Sequence, residues 1–368
     1  SGEQATGTPY EPTPIETCCT IAWMALTVDA LRLTGDPLAA DELELSTYNA
    51  MLGAQHPSGS WWTYDTPMNG VREASHDTIV FQSRAGTPDL NCCSVNAPRG
   101  LGMLSEWAVM RGKDQVIINY LGPMTAEMQL FDGTPISIEQ RSTYPMDGKI
   151  DIVLRPQVPI SFELKVRIPG WVESARVTSA DKQTRFVPGG QYWSITRQWK
   201  AGDSLQLQID MPLRFEIGDN EMAGRMSVYR GPLLLAYDFL NNKSQTEEAP
   251  TLTTSRLARA RVSIPTRTSG GEAIGRFPPW LLVDIPTDQG RWMRLCDFAS
   301  AGSMGSKYAS WLPATNLPPA RPMPQTPRDG ASVPTGTMLF TLRPTAALTD
   351  GSLHLEFSPS PDFEPLAL

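Results

Sequence analysis

Glu16-Thr17-Cys18 and Cys92-Cys93 put one carboxylate and three thiols into two short segments of the chain. One carboxylate and three thiolates make a four-coordinate set for Zn²⁺, which favours sulfur and accepts one oxygen ligand. Residues i and i+2 at a helix entrance can both face one ion, because the chain is not yet helical there. The partial positive charge at a helix N-terminus also favours thiolate over thiol. The five cysteines are Cys18, Cys19, Cys92, Cys93 and Cys296, two adjacent pairs and one left over. A disulfide-dense scaffold would carry more cysteines in a shorter chain. A Cys-x-x-Cys pair is missing, which sets the pattern apart from zinc fingers and ribbons. A metal site fits the two pairs best, and inter-segment disulfides or unligated buried cysteines are the alternatives.

Other residues offer weaker signals. Trp61 and Trp62 suit a sugar-stacking platform, with ordinary core packing as the alternative. His76, in Ser75-His76-Asp77, precedes the cysteine pair and is a candidate substrate contact, against the reading of a loop histidine with its hydrogen bonds satisfied. None of the three histidines sits in a His-x-x-x-His or Glu-x-x-His frame. No Gly-x-Ser-x-Gly elbow, Walker loop or dinucleotide glycine motif occurs. Net charge is −8, from 31 Lys and Arg against 39 Asp and Glu. That balance argues against a nucleic-acid surface, which needs clustered positive charge. No apolar run reaches membrane-spanning length. No signal peptide is recognised at Ser1-Gly2-Glu3-Gln4, and cytoplasmic and secreted or periplasmic settings both stay open.

The elements that must position these groups change character along the chain. Residues 1–112 read as helical. Ile21, Met24, Ala25, Val28 and Leu31 give a helix over Glu16 to Leu33, which Gly35-Asp36-Pro37 ends. A second helix is expected over Asp41 to Leu52, and a third over Ala97 to Met110 with Leu101, Leu104, Trp107 and Val109 inward. From about residue 113 the period becomes two. Short β-type runs alternate with Asp132-Gly133, Asp147-Gly148, Pro169-Gly170, Gly189-Gly190 and Gly202-Asp203, as in a β-sandwich. Ser161 to Ile168 alternates strictly and reads as a strand with one wet face. With 29 glycines and 33 prolines the chain favours many turns and short strands. Arg225 to Asp238 and Trp280 to Ile285 read as further strands. Asn241 to Gly275 reads as a long loop, and Pro313 to Pro334 as irregular. Met338 to Leu342 and Leu353 to Phe357 are expected to pair. Cys296 reads as a buried small hydrophobe. The expected domains are 1–112, 113–220 and 221–368.

Taken in order, several of these segments resemble glycoside hydrolase family 127, the β-L-arabinofuranosidase family. They are Glu16-Thr17-Cys18, Leu33-Thr34-Gly35-Asp36, Tyr48-Asn49-Ala50 and Cys92-Cys93-Ser94-Val95-Asn96-Ala97-Pro98-Arg99. Ser142-Thr143-Tyr144-Pro145, Arg167-Ile168-Pro169-Gly170-Trp171, Tyr192 to Trp199, and Tyr229-Arg230-Gly231-Pro232 continue the pattern, which covers about residues 3–238. The resemblance implies a mixed α and β fold: the C-terminal helices of an (α/α)6 barrel followed by one or two β-sandwich domains. It implies zinc held by Glu16, Cys18, Cys92 and Cys93. It implies Cys92 as nucleophile in a retaining glycosidase acting on β-L-arabinofuranosides or related plant glycans, and Glu3 as acid/base with Glu11 as the fallback. Tyr64 matches a tyrosine near the nucleophile and joins Trp62 and His76 as candidate substrate contacts. Two departures stand out: Cys19 is an additional thiol, and Ser94 takes a position usually held by proline. The barrel implied by the resemblance begins upstream of Glu-Thr-Cys, so its remainder would come from a longer protein, a second chain or a homo-oligomer. The alternative function is a carbohydrate-binding or structural β-sandwich protein with a structural zinc.

Overall fold

The computed structural model describes residues 15–55, 62–72, 92–179, 181–243, 248–265, 279–287 and 290–317, with two short strands at 323–326 and 341–343. The chain divides into two units, Ser1–Asn316 and Leu317–Leu368. In the first, a short strand β1 (Ile15–Glu16) leads directly into α1 (Thr17–Thr34). Ile21, Met24, Val28 and Leu31 recur at helical spacing and are buried in one cluster with Ala40, Leu43, Met51, Trp62, Ala97, Met103 and Trp107. Gly35 ends α1 at φ 66°, and its N–H bonds the Leu31 carbonyl. The next helix, α2 (Pro37–Leu45), begins at once. Asp36 caps it by accepting from the Leu38 N–H at 2.9 Å, and Pro37 takes the first turn, where no N–H is needed. The expected start at Asp41 was therefore too late, because Gly35-Asp36-Pro37 is a stop and a start together.

After α2 the backbone widens into a π-helical stretch, Ser46–Met51, and closes with α3 (Leu52–Ala54). The widened turn serves Asn49. Its amide donates to the carbonyls of Leu45 and Pro232, both at 2.9 Å, and its oxygen accepts from the Leu234 N–H at 2.8 Å. Two strands of two residues follow, β2 (Asp65–Thr66) and β3 (Asn69–Gly70). The expected third helix is three short ones: α4 (Cys92–Asn96), α5 (Pro98–Gly102) and α6 (Leu104–Trp107). Pro98 restarts the helix as its first residue, and Val109 already belongs to a strand. Leu101 faces solvent, not the core. Gly100 packs where a side chain could not, since a Cβ there would lie 2.7 Å from Ile21 and Met51.

From Val109 onward the chain forms sheets. One is four-stranded: β4 (Val109–Arg111), β5 (Gln115–Ile118), β9 (Ile160–Ile168) and β12 (Gln191–Trp199) lie in the order β12-β9-β5-β4. The other is six-stranded, in the order β11-β10-β13-β8-β7-β6. Its strands run from β6 (Met124–Gln129) and β7 (Pro135–Ser142) through β8 (Lys149–Pro156), then β10 (Ser174–Thr178), β11 (Thr184–Pro188) and β13 (Asp203–Ile209). In the smaller sheet β9 and β12 pair antiparallel along nine residues. Ile136, Ile138, Ile150, Ile152, Leu154, Leu205 and Leu207 recur at every second position of their strands and form the buried face of the larger sheet.

A third, ten-stranded sheet includes β14 (Leu213–Ile217), β15 (Arg225–Arg230), β16 (Leu233–Asp238), β17 (Leu252–Thr253), β18 (Arg261–Ser263), β19 (Leu282–Pro286), β20 (Trp292–Asp297), β21 (Tyr308–Ala309) and β22 (Leu312–Thr315). Its tenth member is β3, which pairs with β21 and so draws the helical segment's loop into the sheet. The expected long loop after Asn241 thus contains β17, a short helix α7 (Thr254–Leu257) and β18. Cys296 is buried on β20, as expected. In the second unit, β23 (Met323–Thr326) pairs antiparallel with β24 (Thr341–Arg343). The partner of Thr341–Arg343 is thus a segment expected to be irregular, while 338–340 and Leu353 to Phe357 lie outside the described residues.

The largest departure from the expected pattern is Arg167. Strict alternation puts it on the wet face of β9 with Ser161, Glu163 and Lys165, yet its side chain is fully buried. It pairs with Asp41, and with Glu44 at 2.6 Å, both on α2. Its Nε donates to the Asn119 carbonyl at 2.8 Å. Tyr144 donates to Glu44 at 2.7 Å, the Trp171 indole donates to Glu44 at 3.3 Å, and the Gly170 N–H donates to Asp41 at 2.8 Å. Burial pushes the Tyr144 hydroxyl well above the usual phenol range, and the Glu44 charge adds to this, so Tyr144 stays a donor. Burial works against the Arg167 charge, but Glu44 and Asp41 outweigh it and raise its pKa.

Removing Arg167 would leave two carboxylates buried without their cation. Arg167→Met is expected to cost about 3–5 kcal/mol. Chemical denaturation of the variant against the parent chain measures this, and a loss under about 1 kcal/mol would contradict it.

Candidate metal centre

Glu16 is held at the seam between β1 and α1. It pairs with Asp65 across the β1–β2 ladder. The next residue, Thr17, donates its N–H to the Tyr64 carbonyl at 3.0 Å and its hydroxyl to the Thr63 carbonyl at 2.9 Å. Cys18 follows in the first turn of α1. On the other side, Cys92 and Cys93 open α4, and the Ser94 hydroxyl donates to the Trp62 carbonyl at 3.2 Å. The 62–66 loop therefore ties down both ligand-bearing helix starts.

These connections bring Glu16, Cys18, Cys92 and Cys93 together, with all four donor atoms within 4.8 Å of one another. Cys93 donates to the Cys18 sulfur at 3.3 Å, and all five cysteines are free thiols, which disfavours the disulfide alternative. Glu16 and Cys93 are buried, Cys18 is half-buried and Cys92 is exposed. Burial pushes the Cys93 thiol far up. Burial also raises Cys18; hydrogen bonds from Cys93 and Asn96 oppose that shift, and the neighbouring Cys92 adds to it. Without an ion, both groups are neutral thiols at neutral pH. A cation among them would supply the opposing charge that their surroundings lack. The donor set fits a metal ion on that chemistry.

The remaining expected site residues fall in different places. Trp62 is buried in the hydrophobic cluster, which is the packing alternative. Tyr64 is buried two residues further on. Glu3, Glu11, Trp61 and His76 lie outside the described residues. Reading the sequence alone missed the positioning by Thr17, Thr63 and Ser94, which acts through backbone carbonyls and leaves no pattern of residue types. It also gave no role to Cys19, whose thiol donates to Glu16 at 3.5 Å.

Residues 3–106 match the model of the β-L-arabinofuranosidase GH127 catalytic domain, and residues 115–211 match the GH127 middle domain. The two matches together cover more than half of the chain, which belongs to glycoside hydrolase family 127. A GH127 β-L-arabinofuranosidase from Geobacillus stearothermophilus T6 shares the fold at a TM-score of 0.64 and 20% identity, over 83% of this chain and 51% of that one. A second structure, a glycoside hydrolase, matches at 0.66 and 22% identity, over 85% and 53%. A GH127 β-arabinofuranosidase matches at 0.64 and 22%, over 82% and 50%. The chain thus spans about half the length of the solved structures it resembles. No curated protein matches it.

Metal loading is expected at one ion per chain. In the loaded protein Cys19 should react readily with a thiol reagent and the exposed Cys92 more slowly, while the buried Cys93 and Cys296 should not react. Chelation should release the metal, open Cys18 to the reagent and speed the reaction of Cys92. Because Cys18 and Cys93 start as thiols, binding should release protons and tighten as pH rises. Metal analysis with thiol titration before and after chelation, repeated across pH, checks all three outcomes.

Proposed function

We propose that this chain carries the metal-holding and nucleophile-bearing part of a retaining glycoside hydrolase for β-L-arabinofuranosides or related plant-derived glycans. The observation that carries the reading is the contrast within the adjacent pair. Cys93 is buried and joined to Cys18, while Cys92 shares the same donor cluster and is exposed to an approaching sugar. Zinc is the ion that suits three sulfurs and one carboxylate. Glu16, Cys18, Cys92 and Cys93 would hold such an ion, since their donor atoms lie within 4.8 Å of one another. When bound, the ion supplies the positive charge that keeps the sulfurs ionised and in place.

The chemistry then follows the two-step course of retaining glycosidases, with sulfur in place of one carboxylate. The Cys92 sulfur attacks the anomeric carbon, a C–S bond forms, and the C–O bond to the leaving group breaks. The leaving oxygen takes a proton from a carboxylic acid, a role proposed for Glu3. The resulting carboxylate then takes a proton from water, which attacks the same carbon and releases the Cys92 thiolate. Two inversions retain the configuration.

The finer fold belongs to the same reading. Helices α1 to α6 are the closing part of an (α/α)6 barrel, and the two sheets over 109–209 form a sandwich. Trp23, Leu26 and Leu33 support the first point. They follow helical spacing on the face of α1 opposite the core and are 48%, 63% and 87% exposed. An exposed strip of large apolar side chains on a helix marks a face that other polypeptide ordinarily covers. Further helical polypeptide, from the same chain, a second chain or another copy, would cover that face. A second functional reading, a structural zinc in a carbohydrate-binding protein, draws on the fact that all four donors come from the protein.

Substrate turnover in the full-length protein separates these readings. A slow or activated β-L-arabinofuranoside is expected to leave one glycosyl unit on Cys92, seen by mass spectrometry of the digested protein. Cys92→Ser should lower turnover by about three orders of magnitude or more. An enzyme that turns over without any adduct on Cys92, and keeps its rate in the variant, would exclude the cysteine mechanism.

A further inference from the structure

A second site of different chemistry lies on the ten-stranded sheet. A cavity of about 350 Å³ is lined by Asn241, Asn242, Arg261, Asp284, Trp292 and Arg294. None of these residues lies on an element that carries a metal ligand. The register places Arg261, Asp284 and Arg294 side by side, since Arg261 faces Asp284 across β18–β19 and Asp284 faces Arg294 across β19–β20. Arg294 grips Asp284 with two bonds, from Nε at 2.8 Å and from a terminal nitrogen at 3.0 Å. Asp284 is thereby committed to Arg294. Arg261 instead stacks on the Trp292 ring at 4.4 Å. No carboxylate pairs with it among the described residues.

Three further facts make this a prepared surface. Trp292 is 47% exposed, so its ring is open to a ligand as well as stacked under the guanidinium. The rim is rigid: Asn242 donates to the Arg294 and Asp238 carbonyls, both at 2.8 Å, and accepts from the Arg294 N–H at 3.0 Å. Asn241 is fixed by its N–H to Asp238 at 3.2 Å. The charges within the pocket sum to positive, two guanidiniums against one carboxylate, in a chain of net charge −8. An unpaired guanidinium presents a planar fork that matches a carboxylate. An exposed indole suits the C–H face of a sugar ring.

We propose that this pocket binds a carboxylate-bearing sugar residue, a hexuronate of an acidic glycan, with Arg261 taking the carboxylate and Trp292 the ring. The site rests on its own lining and not on the glycosidase reading. It would hold the protein on an acidic polysaccharide while leaving the Glu16/Cys cluster free.

Calorimetric titration of the chain with trigalacturonate tests this, with the neutral galactotriose as comparison. Saturable binding of the acid, weaker binding of the neutral sugar, and a loss of about tenfold or more in Arg261→Gln are expected. Arg261 is exposed, so the variant should keep its melting temperature and metal content, and Trp292→Ala should weaken binding as well. No saturable binding, equal binding of the neutral sugar, or unchanged binding in Arg261→Gln would overturn the proposal. Because the readout is binding, a failed turnover assay leaves this result standing, and the reverse also holds.

Discussion

The fully buried guanidinium of Arg167, clasped by Asp41 and Glu44, joins the helical segment to the sheets. A buried charge of this kind is costly unless it is paired and its remaining hydrogen bonds are met. Here the surroundings meet them from several directions. Asn119 takes the Nε proton, Tyr144 and Trp171 occupy the oxygens of Glu44, and the Gly170 N–H binds Asp41. The partners come from α2, from Asn119, from Tyr144 and from the turn after β9, so the network closes only when α2 meets β9 and the turns around them in one register. Apolar packing alone would tolerate sliding between a helix and a sheet. A bidentate fork between two carboxylates does not.

The metal cluster depends on connections of the same type, made by backbone. Glu16 is in place because β1 pairs with β2. The loop carrying β2 continues into β3, which pairs with β21 of the ten-stranded sheet. Asn69 reinforces that junction, accepting from the N–H groups of Ser310 and Trp311, both at 2.9 Å. Asn49 makes a second junction from the π-helical turn to the start of β16. The ligand-bearing segments are thus fixed from the helical side by hydrophobic packing and from the sheet side by hydrogen bonds. The C-terminal sheet, though distant in sequence, helps to hold the position of Glu16.

The sequence revealed chemistry more readily than packing. The donor cluster could be read because cysteine is rare and two adjacent pairs are rarer, and the structure brings Glu16, Cys18, Cys92 and Cys93 together. The first helix could be read from Ile21, Met24, Val28 and Leu31, and its end from Gly35. The sheets showed through period-two alternation between glycine turns. Arg167 could not be read, because on a strand that alternates strictly an arginine at a polar position looks solvated. Nothing local says that Asp41 and Glu44, more than a hundred residues earlier, wait for it. The segments Ser142-Thr143-Tyr144-Pro145 and Arg167-Ile168-Pro169-Gly170-Trp171 were noticed as family marks without a reason. The reason is that Tyr144, Arg167, Gly170 and Trp171 converge on the same two carboxylates. The π-helical turn was equally silent, since Tyr48-Asn49-Ala50 fits an α-helix until Asn49 must reach Pro232 and Leu234. Trp62 fits both a stacking platform and a core aromatic by residue type alone, and the structure buries it in the helical cluster.

Adjacency of Cys92 and Cys93 is itself a constraint on what the site can do. Successive side chains on a helix diverge by about 100°, so two neighbours share one ion only in the first turn, where the entering chain can still tilt. There one thiol points into the protein and the other outward. Cys93 takes the inner place, against Cys18, and Cys92 the outer one. Two cysteines separated by a helical turn would both face inward and would close the site around its ion. The adjacent pair instead combines an anchoring sulfur with a presented one. That division explains why a four-donor cluster, the usual form of a structural metal site, can still offer a nucleophile to a sugar on the proposed reading.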